Sequence, residues 1–417
     1  MEGKEWPISE EGSGGVKNQS AERLEREPAK TDWLSRARSL LPLVESEVQS
    51  SEQMRTLSGP LVNAFKETEL FWMLCPSEVG GGGCGIRDLI EVIAQVAWAD
   101  CSASWTLTAN VTSTAAAAAF CGDSAADVMF GGKTRAIGAG MFGPSGKSIE
   151  VPGGYQAGGR FSFGSGCAHA SWFGGGMLVM EEGKPRPVTQ GKGPEVRVCF
   201  VPREKVRVLD NWDVRGLIAT GSFDYEIPEQ FVAQDFTLER QSMVPRRGHA
   251  LFKMGLMPII ASVHAAMMLG MMKRSLDEIA RIVDGKKRVG YSGVIGDYPT
   301  FMHEFSLQEA SYMAARDYVL TVYEEAEAAV TAGGTVSEYQ RARFRQVATW
   351  VHKVGAEVVR FAYLWSGSEG YRGSSAIGRM FRDTYVATQH IYVDPITLVD
   401  SAPGILKHYR PTDLAAR

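Results

Sequence analysis

The 417-residue chain is short of the patterns that build metal, disulfide and nucleotide sites. Its six cysteines, Cys75, Cys84, Cys101, Cys121, Cys167 and Cys199, are scattered without CxxC or Cys/His spacing. That excludes a zinc centre and a disulfide framework, and it reads as reduced thiols in a cytoplasm. The run Gly80-Gly81-Gly82-Gly83 lacks the Lys-Ser/Thr that completes a phosphate loop, and no GxGxxG sits in a βαβ setting. Tight binding of NAD(P)H is therefore not expected. The first thirty residues are rich in Gly, Ser, Glu and Lys and have no apolar stretch of the signal-peptide kind, so they read as a disordered leader and not as a secretion signal. A formal net charge of −4 and a pI near 6.1 give no general attraction to nucleic acid or anionic membranes.

What the chain does have is ordinary globular composition, 44% hydrophobic and 22% charged, enough for two or three packed units. From Asp32 to about Phe130 apolar residues recur at helical spacing, as in Trp33-Leu34, Ala37, Leu40-Leu41 and Leu43-Val44. Residues 89–120 are alanine-rich, with Trp98, Trp105 and an unbroken run from Ala115 to Ala119, which predicts tightly packed helices. Between about 135 and 240 the character changes to short β-favouring runs, Arg160 to Phe163, Gly176 to Met180 and Val196 to Val201, between Gly and Pro turns. An antiparallel sheet is the natural reading. Long amphipathic patterns return over 251–283, 305–332 and 336–365, with a last helix over 374–390 and no clear periodicity from Pro395 onward. The stretch Met254 to Met272 is nearly uncharged and of membrane-spanning length, but in this composition it reads as a helix buried all round in an oligomeric bundle. The expected architecture is α+β, mainly α: a leader over 1–30, N-terminal helices over 31–134, a middle β-domain over 135–240 and a helical bundle over 241–417.

Three polar loops punctuate the β-domain: Gly143-Pro144-Ser145-Gly146, Gly164-Ser165-Gly166-Cys167, and Gly216 through Thr220-Gly221-Ser222. Their spacing lets them converge on one flat ligand. Together with the segment GRFSFGSGCAHASW (Gly159 to Trp172) and the helix–sheet–helix order, they resemble the acyl-CoA dehydrogenase superfamily over most of the chain. Within it the wording is most similar to the flavin-dependent monooxygenase branch, the oxygenase components of two-component hydroxylases. The resemblance implies that Ser165 and Phe163 lie beside the flavin, with Ser165 at N5, that Ser145 belongs to a second flavin-edge loop, and that Thr220 and Ser222 close over the ring. It also offers Arg288 for the flavin and Arg247 for the ligand, both of which read equally well as solvated helix-end charges.

The decisive residue is His390, in the segment Arg379-Met-Phe-Arg382-Asp383-Thr-Tyr-Val-Ala-Thr-Gln-His390. Dehydrogenases of the superfamily carry an Arg-Asp pair and then a Tyr-Glu-Gly-Thr motif, whose glutamate removes a proton from the thioester substrate. Here the Arg-Asp pair is present, the glutamate motif is absent and a histidine stands about there, as in the monooxygenase branch. An imidazole exchanges protons near neutrality and suits orienting a substrate or hydrogen-bonding a peroxide. His169 and Trp172 fit the branch's wording around Ser165, with His169 either facing the ligand or bonding at the domain junction. On the helix around Trp105, phenol-hydroxylating relatives place a histidine, whereas this chain offers Asn110, Thr112, Ser113 and Thr114. Amine, indole, sulfur-heterocycle and polyketide substrates therefore stay open.

The resemblance thus implies an enzyme that takes reduced FMN or FAD from a separate flavin reductase, adds O2 through a C4a-hydroperoxide and hydroxylates an aromatic or heteroatom-bearing small molecule. It would work as a cytoplasmic homotetramer, with catalytic residues His390 and Ser165, substrate residues Trp105, Asn110, Ser113, His169 and Arg247, and no metal. Two alternatives stand beside it. One is an acyl-CoA dehydrogenase-like oxidoreductase with Glu304 or Glu309 as its base; the other is a catalytically silent ligand-binding or assembly protein.

Overall fold

The computed structural model describes residues 31–188, 193–241 and 244–410. The leader expected over 1–30 lies outside them. The first helical part comprises α1 (Trp33–Ser39), α2 (Leu41–Ser46), α3 (Val48–Met54), α4 (Gly59–Glu67), α5 (Ile86–Ala99), α6 (Cys101–Phe120) and α7 (Asp123–Phe130). The sheet follows: β1 (Gly138–Val151), β2 (Gly154–Gly164), β3 (Trp172–Glu181), β4 (Lys184–Pro185), β5 (Val196–Pro202), β6 (Arg207–Val208), β7 (Phe223–Ala233) and β8 (Thr237–Glu239). Then come α8 (Leu256–Val283), α9 (Pro299–Thr331), α10 (Glu338–Ser366), α11 (Ala376–Ala387) and α12 (Ile396–Tyr409). The fold is helical at both ends with a sheet in the middle, as the sequence predicts.

Helix α6 is the hub. The Asp100 carboxylate accepts from the Ala103 amide at 2.8 Å and caps its start. Of its residues only Trp105 and Ala109, one turn apart, are not buried. A helix packed on every side has no use for a polar stripe, which is why its small Ala, Ser and Thr side chains carry no amphipathic pattern. The apolar stretch at Met254 to Met272 falls, from Leu256 on, in α8, which is long and apolar enough to cross a membrane, yet most of its apolar window is buried among α5, α6 and α10. The helices before and after the sheet share one core, from Leu61 and Phe65 through Met267 and Met271 to Val351. A second core, with Tyr155, Phe161, Phe173, Met177 and Tyr225, fills the sheet's inner face.

The sheet runs β6-β7-β2-β1-β3-β5-β8, with β4 on β3. It departs from the expected antiparallel pattern at one place, because β1 and β3 are parallel, Gly138 opposite Trp172. The chain leaves β2 on one side of β1 and must rejoin on the other, so residues 165–171 cross the beginning of β1. The amides of Ser171 and Trp172 both donate to the Ile137 carbonyl at that crossing. The hairpin partner β2 supplies the reversal, so no helix is needed between parallel neighbours.

The tail also departs from expectation, since residues from Ile396 form a helix with Pro403 inside it. Its buried positions are Thr397 and Ser401, while Ile396, Val399 and Leu406 are exposed. Thr349 and Thr397 hydroxyls bond across the α10–α12 contact. A helix with its polar side inward hides from any search for an apolar stripe.

Close approach of α8 to α5 depends on Gly270, where a Cβ would lie 2.2 Å from the Ala94 carbonyl oxygen and 2.6 Å from the Ala97 Cβ. At Gly355 on α10 a Cβ would instead meet the Met268 sulfur at 2.2 Å, the far end of a flexible side chain. Gly270→Ala is expected to destabilise the fold by about 2–3 kcal/mol by forcing the helices apart. Gly355→Ala is expected within about 1 kcal/mol of neutral, because better helix propensity offsets the repacking. Urea unfolding of both variants checks this, and equal losses would contradict it.

Candidate active site

The crossing loop brings Ser165, at the end of β2, against α6 and against the loop 216–222. The Trp105 indole N–H donates to Ser165 Oγ at 3.0 Å; Ser165 Oγ and Ser222 Oγ lie 2.7 Å apart, as do Ser222 Oγ and Thr220 Oγ1; and Thr220 Oγ1 donates to the Leu217 carbonyl at 2.8 Å. All three hydroxyl residues are buried. Backbone bonds tie the loops together, with the Gly166 amide donating to the Thr220 carbonyl at 2.9 Å. Two non-glycine residues here have left-handed backbone, Phe163 at φ 63° and Leu217 at φ 51°. Such conformations cost energy and cluster at ligand sites. Phe163 projects its ring into the open, 61% exposed, edge-on to Trp212.

On the other side of Trp105 stand two histidines. The His264 and His390 rings stack 4.1 Å apart, and the indole meets both edge-on at 5.0 and 5.5 Å. Tyr392 stacks on His390 at 5.3 Å. Burial drives the His390 imidazole down to about 4 and His264 well below its ordinary value, with His352 nearby adding to both shifts. Both rings are therefore neutral at physiological pH. His390 Nδ1 accepts from the Tyr392 amide at 3.4 Å. A neutral imidazole holding an acceptor at Nδ1 carries its proton on Nε2, so His390 presents a donor and not a base.

His264 was not singled out as a site residue in the sequence. Its one signal was a lone histidine in the otherwise uncharged run of α8. Its Nδ1 is buried without a partner, as is Nε2 of His352, whose Nδ1 donates to the Ala348 carbonyl at 2.8 Å.

The other sequence candidates are placed apart from this group. Asn110 Nδ2 donates to the Gly138 carbonyl at 2.8 Å and reaches the Gly166 carbonyl at 3.4 Å, clamping the crossing loop to β1 from beneath. Ser113 packs under Gly138, where a Cβ would meet its hydroxyl at 2.9 Å. His169 Nε2 bonds Thr56 Oγ1 at 3.0 Å, and burial pushes its imidazole down to about 4. Ser145 lines an open groove of about 490 Å³ with Lys147, Gln156, Gly158 and Glu229, which shares no residue with the Trp105 group. Arg247 donates to the carbonyls of Ala118 and Cys121 and pairs with Asp123, closing the C-terminus of α6. Its contacts start thirteen residues from Trp105, about 20 Å along a helix. Arg288 and Lys286 donate to the Trp365 and Ser366 carbonyls, capping α10 in the same way.

Beneath loop 216–222 lies a buried charge cluster. Asp383 Oδ1 accepts from the Leu217 amide at 2.6 Å, Asp100 pairs with Arg379 at 3.3 Å, and Arg382 lies 3.8 Å from Glu52. Burial, and then the Asp100 charge, push the Asp383 carboxyl up to about 7.

The chain resembles known proteins over most of its length. Residues 262–395 match the family described as acyl-CoA dehydrogenase, C-terminal domain. The chain is 27% identical to an indole-3-acetate monooxygenase of Pseudomonas putida over 83% of its own length and 86% of the relative's. It is 25% identical to the flavin-dependent monooxygenase oxygenase subunit HsaA of Rhodococcus jostii, covering 87% of this chain and 94% of that one. The solved structure of XiaF from Streptomyces, in complex with FADH2 and glycerol, shares the fold with a TM-score of 0.82 at 20% identity, covering 91% and 96% of the two chains.

Because the folded carboxyl of Asp383 titrates above its unfolded value near 3.9, the stability it contributes is full below about pH 4 and is lost as pH rises through about 7. Asp383→Asn keeps an acceptor for the Leu217 amide without that loss. The stability of the variant relative to the parent is expected to improve by on the order of 2 kcal/mol between pH 5 and pH 8. Thermal melts across that range measure it, and comparison at each pH cancels the opposite, acid-side effect of the buried histidines. A difference that stays flat with pH would refute the assignment.

Proposed function

We infer that this chain, a member of the acyl-CoA dehydrogenase superfamily in its flavin-dependent monooxygenase branch, is the oxygenase component of a two-component flavin monooxygenase. One observation carries the reading: Ser165, His264 and His390 meet at Trp105, all uncharged and all able to hydrogen-bond. Proton abstraction from a thioester needs a carboxylate there. Glu304, the base available to that alternative, accepts instead from the Trp365 indole at 2.7 Å, and Glu309 is exposed on α9.

The donor set suits a reduced flavin. A row of hydroxyls ends at Ser165, an exposed aromatic ring stands beside it at Phe163, and no formal charge opposes a flat heteroaromatic ring. Ser165 would hold the ring edge, and Thr220 and Ser222, being buried, would act through Ser165. Reduced flavin, when bound, supplies the two electrons with which dioxygen is divided, one oxygen atom going to the substrate and the other leaving as water. His390 offers Nε2–H as a fixed, uncharged donor to the oxygen that must be polarised. The apolar walls of α6 and α8 keep bulk water out.

The substrate is an aromatic or heteroatom-bearing small molecule. Asn110 gives its amide N–H to the Gly138 carbonyl and Ser113 is buried beneath Gly138, which disfavours a phenol gripped from α6, and the indole acid in the Pseudomonas relative's name illustrates the class. Reduced FMN or FAD comes from a separate reductase, as the subunit and component names of relatives suggest. A cytoplasmic homotetramer accords with six buried free thiols and with apolar residues exposed on α9 and α12, among them Leu307, Met313, Val399 and Leu406.

Anaerobic titration with reduced FMN and FAD, followed by rapid mixing with oxygenated buffer, tests the assignment. Oxygen uptake is expected to precede the return of the oxidised-flavin spectrum, with a clear lag. His390→Phe keeps the ring contact with Trp105 and removes the donor, and it should shorten that lag roughly tenfold or more. Immediate reoxidation in the parent would point to the dehydrogenase alternative, and failure to bind reduced flavin to a silent scaffold.

A further inference from the structure

The hydroxyl chain has only one consistent arrangement of its protons. At one end the Leu217 carbonyl is purely an acceptor, so the Thr220 hydroxyl, 2.8 Å away, must give it its proton. Ser222, 2.7 Å from Thr220, must then donate to Thr220, and Ser165, 2.7 Å from Ser222, must donate to Ser222. At the other end the Trp105 indole is purely a donor, and it fills one lone pair of Ser165 at 3.0 Å. The reverse order would set two oxygens 2.8 Å apart with no proton between them. Ser165 therefore has no proton left for a ligand. Toward the site it offers only a lone pair.

The central ring of an isoalloxazine carries a bare acceptor nitrogen when oxidised and an N–H at the same position when reduced. We propose that the chain Trp105–Ser165–Ser222–Thr220, anchored on the Leu217 carbonyl, makes Ser165 an obligate acceptor and so selects reduced over oxidised flavin. Thr220 is then a specificity-determining residue that never touches the ligand, being 1% exposed. The left-handed Leu217 and its amide bond to Asp383 aim the carbonyl on which the polarity rests. This inference rests on the flavin-binding reading above.

Its test is the ratio of dissociation constants for oxidised and reduced flavin, measured by fluorescence quenching aerobically and anaerobically. Thr220→Val removes the anchor, freeing the Ser222 proton to turn toward Ser165 and the Ser165 proton to turn toward the ligand. The preference for reduced flavin should fall about tenfold, the worth of one hydrogen bond changed from donor to acceptor. Thr220→Ser keeps the hydroxyl and should keep the parental ratio, and Ser165→Ala should lose the preference as Thr220→Val does. Melting curves establish that each variant is folded. A folded Thr220→Val with the parental ratio, or a Thr220→Ser that loses preference equally, would overturn the polarity mechanism while leaving the enzyme assignment standing. A parent that binds neither flavin would overturn the assignment itself.

Discussion

Two buried carboxylates hold the three parts of the chain in register. Asp100 caps α6 and pairs with Arg379 of α11, while Asp383, one turn further along α11, takes the Leu217 amide from the sheet's last polar loop. Buried charges persist only where partners offset their desolvation, and removing one partner of such a group typically costs about 3–5 kcal/mol. Asp383 sits between the Arg379 cation and the Asp100 anion, and burial decides its state. The placement of Trp105 on α6, of the hydroxyls on their loop and of His390 just beyond α11 all follow from this one junction.

Much of the architecture was legible because it rests on composition and period. The β-rich middle, the long C-terminal helices and the burial of the Met254 region come from patterns that survive without a partner in view. Two of the three loops expected to converge do so, those of Ser165 and of Thr220 and Ser222, since glycine-flanked hydroxyls mark loops that approach something closely, whereas the loop of Ser145 stands apart in its own groove. His390 stood out because a family motif lacked its glutamate. What stayed hidden depends on pairings between distant segments. Parallel β1 and β3 cannot be told from antiparallel neighbours by alternation alone. Residues Thr397 and Ser401 turn α12 inside out. His264 is an ordinary core position until the fold sets His390 upon it, and Arg247 and Arg288 read equally as ligand-binding or helix-end cations until the fold sets them on helix C-termini.

The site that results is electrically quiet. Its imidazoles are neutral, its hydroxyls bond one another in a row, and its nearest charge cluster lies behind loop 216–222. Selectivity in such a place comes from the direction in which each neutral group points, because a misdirected donor leaves a buried lone pair unmatched. The strained backbone at Phe163 and Leu217 is consistent with that, since rigid, over-determined loops are what keep small dipoles aimed.

The crossing of residues 165–171 over the start of β1 also bears on the order in which the protein is assembled. Strand β3 reaches β1 only after the chain has run out along β2 and crossed back, and the loop bearing Ser165 is clamped from beneath only once Asn110 of α6 has arrived. His390 belongs to a segment made near the end of synthesis. Contacts so far apart in the chain form slowly, because loop closure must precede any reward from packing. An incomplete chain therefore lacks the histidine pair at Trp105, and the group around α6 is assembled only when the last helices have closed over it.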